Sequence, residues 1–138
     1  MDTRRILEQS RTVAVLGAHV EPERAAHYVP AYLAEHGYRI LPVNPVFVGQ
    51  TLFGAPVLGT LREIAEPIDV VDVFRRSEHL AQHLDDILAM NPKPRVVWLQ
   101  LGIHDPDFER AIEEAGIELV VNRCMLADHR HMGTKGQP

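Results

Sequence analysis

The stretch Thr12-Val13-Ala14-Val15-Leu16-Gly17-Ala18-His19 constrains this chain more than any other. Its apolar run, Val13 to Leu16, shows no alternation and reads as a strand covered on both faces, as strands of parallel sheets are. Gly17 ends the run with a residue that turns sharply and lets another group come close to its backbone. Pro22 then suits the first turn of a helix running from about Glu23 to Glu35, in which Ala25, Ala26, Val29, Tyr32 and Leu33 recur at helical spacing. A strand, a tight loop and a helix in that order point the helix's free N–H groups back over the loop. Phosphate is attracted to such an end.

The alternation continues down the chain. Asp2 to Ser10 reads as a short helix covering a sheet edge, and His36-Gly37 stops the first long helix before a strand at Tyr38 to Val43. Val46 to Gly54 is a connection, Ala55 to Leu58 a very short strand, and Thr60 the cap of a brief helix. Ile68 to Phe74 and Val96 to Leu99 are buried strands, with a helix between them capped by Ser77 and buried through Leu80, Leu84, Ile87 and Leu88. A helix over Asp107 to Ala115, a last strand over Ile117 to Val121 and a closing helical turn from Asn122 follow. The pattern predicts an α/β fold: a three-layer, doubly wound, Rossmann-like parallel sheet with helices on both faces. One domain over residues 1–138 is expected, with 133–138 a polar, mobile tail.

A formal net charge of −5 argues against a general nucleic-acid or membrane-surface binder, and leaves room for a local basic pocket. The single cysteine, Cys124, has no internal disulfide partner. No apolar run has the length of a membrane span, and Met1 to Gln9 lacks a signal-peptide core, so a cytoplasmic protein is expected.

Ligands of doubly wound sheets lie outside the C-terminal strand ends. The informative residues are therefore Gly17-Ala18-His19, Asn44-Pro45, Arg75-Arg76, Gln100-Leu101-Gly102 and Asn122-Arg123-Cys124. A dinucleotide such as NAD(P) fits them poorly. The first loop has one glycine where the pyrophosphate fingerprint wants three, and the second strand ends at Asn44-Pro45 with no acidic residue for a ribose. Another anionic nucleotide fits better, because Arg24, Arg75, Arg76 and Arg123 can gather at the strand ends and guanidinium forks match phosphate oxygens.

These same segments resemble a known family, the small stand-alone CoA-binding proteins, built like the CoA-binding domain of the succinyl-CoA synthetase alpha subunit. The resemblance is carried by Val13 to Ala18 with Pro22-Glu23-Arg24, by Tyr32-Leu33 and His36-Gly37-Tyr38, and by Pro42-Val43-Asn44-Pro45. It continues through Asp69 to Arg76, Trp98 to Gly102 and Asn122-Arg123-Cys124, and so spans nearly the whole chain. It implies that Gly17, Ala18 and His19 cradle the diphosphate of coenzyme A and that Arg24 approaches a phosphate. It further implies that Asn44, Pro45, Phe74, Arg75 and Arg76 line the nucleotide and pantetheine path, and that Gln100, Leu101 and Gly102 shape its far side. His19 departs from the family, many of whose members carry a small hydroxyl residue there. The phosphorylated histidine, ATP-grasp partner and second domain of the larger synthetases have no counterpart, so the resemblance implies a non-catalytic carrier or sensor of CoA or a short acyl-CoA. A protein partner or a second copy could cover apolar helix faces.

The alternative is a small enzyme of acyl transfer or thiol exchange, with Cys124 as nucleophile and His129 as base. Cys124 also reads as a small buried residue closing the core. His129 and His131 beside Asp128 read as surface histidines, not metal ligands. His79 and His83 lie among Gln82, Asp85 and Asp86 on what reads as a solvated face and receive no role, and Trp98 reads as core.

Overall fold

A computed structural model describes residues 2–135. Helix α1 (Thr3–Gln9) opens the chain, with the Asp2 carboxylate accepting from the Arg5 N–H at 3.0 Å as its cap. Strand β1 (Thr12–Leu16), helix α2 (Ala25–Glu35) and strand β2 (Arg39–Val43) form the first β-α-β unit. A small antiparallel hairpin, β3 (Thr51–Leu52) with β4 (Ala55–Pro56), fills the following connection. Strand β5 (Val70–Val73), helix α3 (Leu84–Ala89), strand β6 (Val96–Leu99), helix α4 (Pro106–Glu114), strand β7 (Glu118–Val120) and helix α5 (Met125–Lys135) complete it.

The main sheet is five-stranded in the order β2-β1-β5-β6-β7, and every pairing in it is parallel. The chain winds outward from β1 to β2, then returns to the other side of β1 as β5. The sheet's switch point therefore lies between β1 and β5, where a crevice opens at the strand ends. Alternate side chains feed two cores. Ala14, Leu16, Val71, Val73, Val97 and Leu99 face the layer containing α3 and α4, while Val13, Val15, Val70 and Trp98 face α1, α2 and α5. This is the doubly wound architecture that the strand and helix patterns predict.

Several local details differ from the sequence-based expectations. Ile6 and Leu7 of α1 are buried in the second core, so α1 covers a face of the sheet and not merely its edge. Helix α2 begins at Ala25, and Pro22 precedes it in a turn closed by Arg24 N–H to Glu21 O at 3.1 Å. Leu58 leaves the hairpin and makes a single parallel bridge with Val43. Ser77 does not cap a helix. A 3₁₀ segment, Ser77–His83, precedes α3, and the Ser77 hydroxyl accepts from the His104 N–H at 2.8 Å. Helix α5 is much longer than one closing turn and reaches Lys135; residues 136–138 of the expected tail lie outside the described residues.

Candidate functional site

The floor of the crevice is the loop after β1. Gly17 has φ +92°, and a Cβ there would stand 2.5 Å from the Phe74 carbonyl oxygen. Only glycine permits this approach of the loops after β1 and β5. The Gly17 N–H donates to Val43 O at 2.8 Å, and Asn44 Nδ2 donates to Ala18 O at 2.9 Å. The ends of β1, β2 and β5 are thereby tied together.

His19 is held from several sides. Its N–H donates to Ala26 O at 3.2 Å, its carbonyl meets His27 Nδ1 at 2.8 Å, and its own Nδ1 accepts from the Glu21 N–H at 3.1 Å. The ring stands edge-on to Phe47, 4.8 Å between centroids. With Nδ1 accepting, the neutral ring carries its proton on Nε2, which remains a donor. The helix that follows has no side-chain cap at Arg24, and Arg24, Ala25 and Ala26 line the crevice. The Arg24 Nε pairs with Glu21 at 2.9 Å, which holds the Glu21 carboxyl below its ordinary range.

Opposite stand Phe74, Arg75 and Arg76, with Ser77 and His79 beside them. Arg75 Nε donates to His83 Nε2 at 3.2 Å. Burial, and secondarily the Arg75 charge, holds the His83 imidazole below its ordinary range, in the neutral form that accepts this bond. The far wall is Gln100, Leu101 and Gly102. Gln100 Nε2 donates to Asp72 Oδ1 at 2.7 Å, and the Gly102 N–H donates to Asn122 Oδ1 at 2.8 Å. Asp72 is fully buried and burial pushes its carboxyl up to about 7, with the Gln100 amide opposing; its Oδ2 has no partner among the described residues. The resulting cleft encloses about 930 Å³. A second lobe of about 390 Å³ shares Gly17, Asn44 and Arg75 with it and reaches Pro45, Thr60 and His83.

Gly17, His19, Arg24, Asn44, Phe74, Arg75, Arg76, Gln100, Leu101 and Gly102 thus meet around one cleft. Three expected residues stand differently. Ala18 is fully buried and contributes only its carbonyl, to Asn44. Pro45 lines the second lobe. Arg123 turns away: its guanidinium forks onto Asp128 at 2.7 and 2.9 Å, in a separate small depression with Thr3, Arg4 and His131. An acidic partner five residues on, one helical turn into α5, captured it.

Cys124 lines the cleft and is half-buried. His129, the base expected for it, has its Nδ1 bonded to the Tyr32 hydroxyl at 2.9 Å and its ring packed against Tyr32, His36 and Tyr38. Trp98 is fully buried and donates its indole N–H to Arg123 O at 2.8 Å, which leaves no face for an adenine. Sequence reasoning missed Asp72 and His83. A carboxylate inside the apolar run Val70-Val71-Asp72-Val73 was a visible signal for the first. For His83 there was no local signal, because its contact with Arg75 spans a strand-to-helix loop. Among the described residues no cluster of potential ligands could hold a metal ion, and no helix is long and apolar enough to cross a membrane.

A family model for a CoA binding domain matches residues 11–130. An uncharacterized protein, YneT, of Bacillus subtilis (strain 168) is 32% identical over 128 residues, covering 93% of this chain and 92% of that protein. A solved structure from Thermus thermophilus, cell-free ID.343, superposes with a TM-score of 0.91 at 50% identity, covering 95% of this chain and 96% of the other. A hypothetical protein from Pyrococcus horikoshii OT3 does so with a TM-score of 0.87 at 32% identity, covering 95% and 89%.

Proposed function

Starting from a chain that belongs to the CoA binding domain family, we propose that its cleft holds coenzyme A or a short acyl-CoA and that the protein acts as a carrier or sensor without a reaction of its own. One observation carries this reading. An uncapped helix N-terminus, the β1 loop and three arginines, Arg24, Arg75 and Arg76, border a single two-lobed cleft at the sheet's switch point. The uncapped N–H groups of α2 and the arginine forks suit a diphosphate. The lobe volumes suit an elongated ligand with a nucleotide at one end, since drug-sized sites occupy about 300–1,000 Å³. The imidazole expected as the base for Cys124 bonds to Tyr32, which favours binding over acyl transfer.

Native mass spectrometry of the purified protein, followed by the denatured mass, tests the reading. An adduct with the mass of CoA that is lost on denaturation supports it. So does a rise in melting temperature when ligand-free protein meets CoA, since saturation at 100 times Kd adds about 2.7 kcal/mol. A bare chain whose melting ignores millimolar CoA overturns it. An adduct that survives denaturation and leaves with reductant would instead identify Cys124 as reactive.

A further inference from the structure

Asp72 sits in the middle of β5, in register with Val15 on one side and Trp98 on the other. It is fully buried in the layer that faces α1, α2 and α5, where its β-sheet neighbours are apolar. The titratable groups of that layer are engaged elsewhere or stand apart: the Tyr38 hydroxyl donates to Leu7 O, His129 meets Tyr32, and Cys124 lines the cleft. The polar group that reaches Asp72 is the Gln100 amide, 2.7 Å from Oδ1. Gln100 is held at its backbone, donating to Val73 O at 3.4 Å and accepting from the Ile103 N–H at 3.1 Å, and its side chain is buried.

An ionised carboxylate accepts and cannot donate. While Asp72 is ionised, turning the Gln100 amide would set Oε1 against Oδ1, two acceptors facing each other between buried side chains. One N–H of Nε2 is therefore committed to Asp72, and Oε1 is the acceptor that Gln100 retains beside the cleft it lines. We propose that Asp72 is a positioning residue which fixes Gln100 with its carbonyl oxygen toward the cleft, so that this wall selects a ligand amide N–H of the kind a pantetheine arm carries. The inference rests on the CoA reading above and extends it to the part of the ligand that the phosphate-binding loops do not touch.

Protonation lifts this constraint. A neutral Asp72 can donate to Oε1 of a turned amide, which sends Nε2 into the cleft and removes the acceptor. Burial brings this change close to neutrality.

The test compares CoA with an alkyl ester of adenosine 3′-phosphate 5′-diphosphate, which carries the same diphosphate diester and 3′-phosphate but a plain alkyl chain in place of the pantetheine amides. Calorimetric titration of the full chain at about pH 6 and about pH 8 gives the ratio of the two affinities, in which the common phosphate cancels. In the parent protein the preference for CoA should be several-fold greater at the higher pH, up to about tenfold for one hydrogen bond. Asp72→Asn, isosteric and always neutral, should make the ratio independent of pH. Gln100→Leu should lower the ratio at both pH values. A parent ratio that does not respond to pH, or an Asp72→Asn ratio that still does, overturns the inference while leaving CoA binding intact. A parent that binds neither ligand overturns the CoA reading itself.

Discussion

The N–H of His19 donates to the carbonyl oxygen of Ala26 at 3.2 Å, and that oxygen is free to accept because the residue four positions on is Pro30. In an uninterrupted helix the Ala26 carbonyl would take the N–H of residue 30, which proline lacks. A proline inside α2 is thus compensated by the loop that precedes the helix. The same bond clamps the β1 loop onto the first turn that lines the cleft.

Pro30→Ala supplies the missing N–H and makes Ala26 a contested acceptor. The helix gains a regular bond and its melting temperature should not fall. The loop loses its tether, and CoA affinity should drop by up to about tenfold, the worth of one hydrogen bond. Thermal melts and calorimetry on the same sample separate the two effects; a drop in both together would mean that the proline serves the fold alone.

Gly17→Ala places a Cβ against the Phe74 carbonyl, at a backbone angle of +92° that other residues avoid. The cost should be about 2 kcal/mol or more, read as a lower melting temperature, and ligand binding should be lost with it. A variant that melts like the parent would show that the β1 and β5 loops separate at little expense.

Asp72→Asn should stabilise the protein at alkaline pH and change little in acid. The folded state lifts the carboxyl from its ordinary 3.8 to about 7 by burial, so the folded protein holds the proton more tightly than the unfolded chain. Stability therefore falls as pH rises from about 4 to about 7, and the loss is complete above that window. At about 1.4 kcal/mol per pH unit, the upper bound is about 4 kcal/mol. Urea unfolding at about pH 5 and about pH 8 measures it. Equal effects of the substitution at both values would mean that Asp72 is not destabilised by its burial.

Arg75→Ala and Arg123→Ala should behave oppositely toward the ligand. Arg75 lines both lobes of the cleft, and its loss should weaken CoA at least tenfold, as expected for a charged hydrogen bond to phosphate. Arg123 is committed to Asp128 in a half-exposed pair, so its loss should leave affinity unchanged and cost less than about 1 kcal/mol of stability. Calorimetry of both variants decides it, and equal losses of affinity would return Arg123 to the site.

The sequence by itself determined the layers and the ends of the strands. Runs such as Val13 to Leu16 and Val96 to Leu99 can satisfy their burial only in a sheet covered on both faces, and Gly17 and Gly102 mark where the chain leaves it. Because loops at the strand ends of such a sheet must converge, most of the cleft was legible from residues that merely follow strands. Tertiary structure alone decided what each long or ionisable side chain does there. Arg75 and Arg123 both follow a strand, yet one finds His83 and the cleft while the other finds Asp128 outside it. Asp72 and Gln100, 28 positions apart, meet because β5 and β6 are neighbours in register. Periodicity reports which face a residue takes, whereas a hydrogen bond or ion pair depends on which partner stands within about 3 Å, and only the packed fold sets that distance.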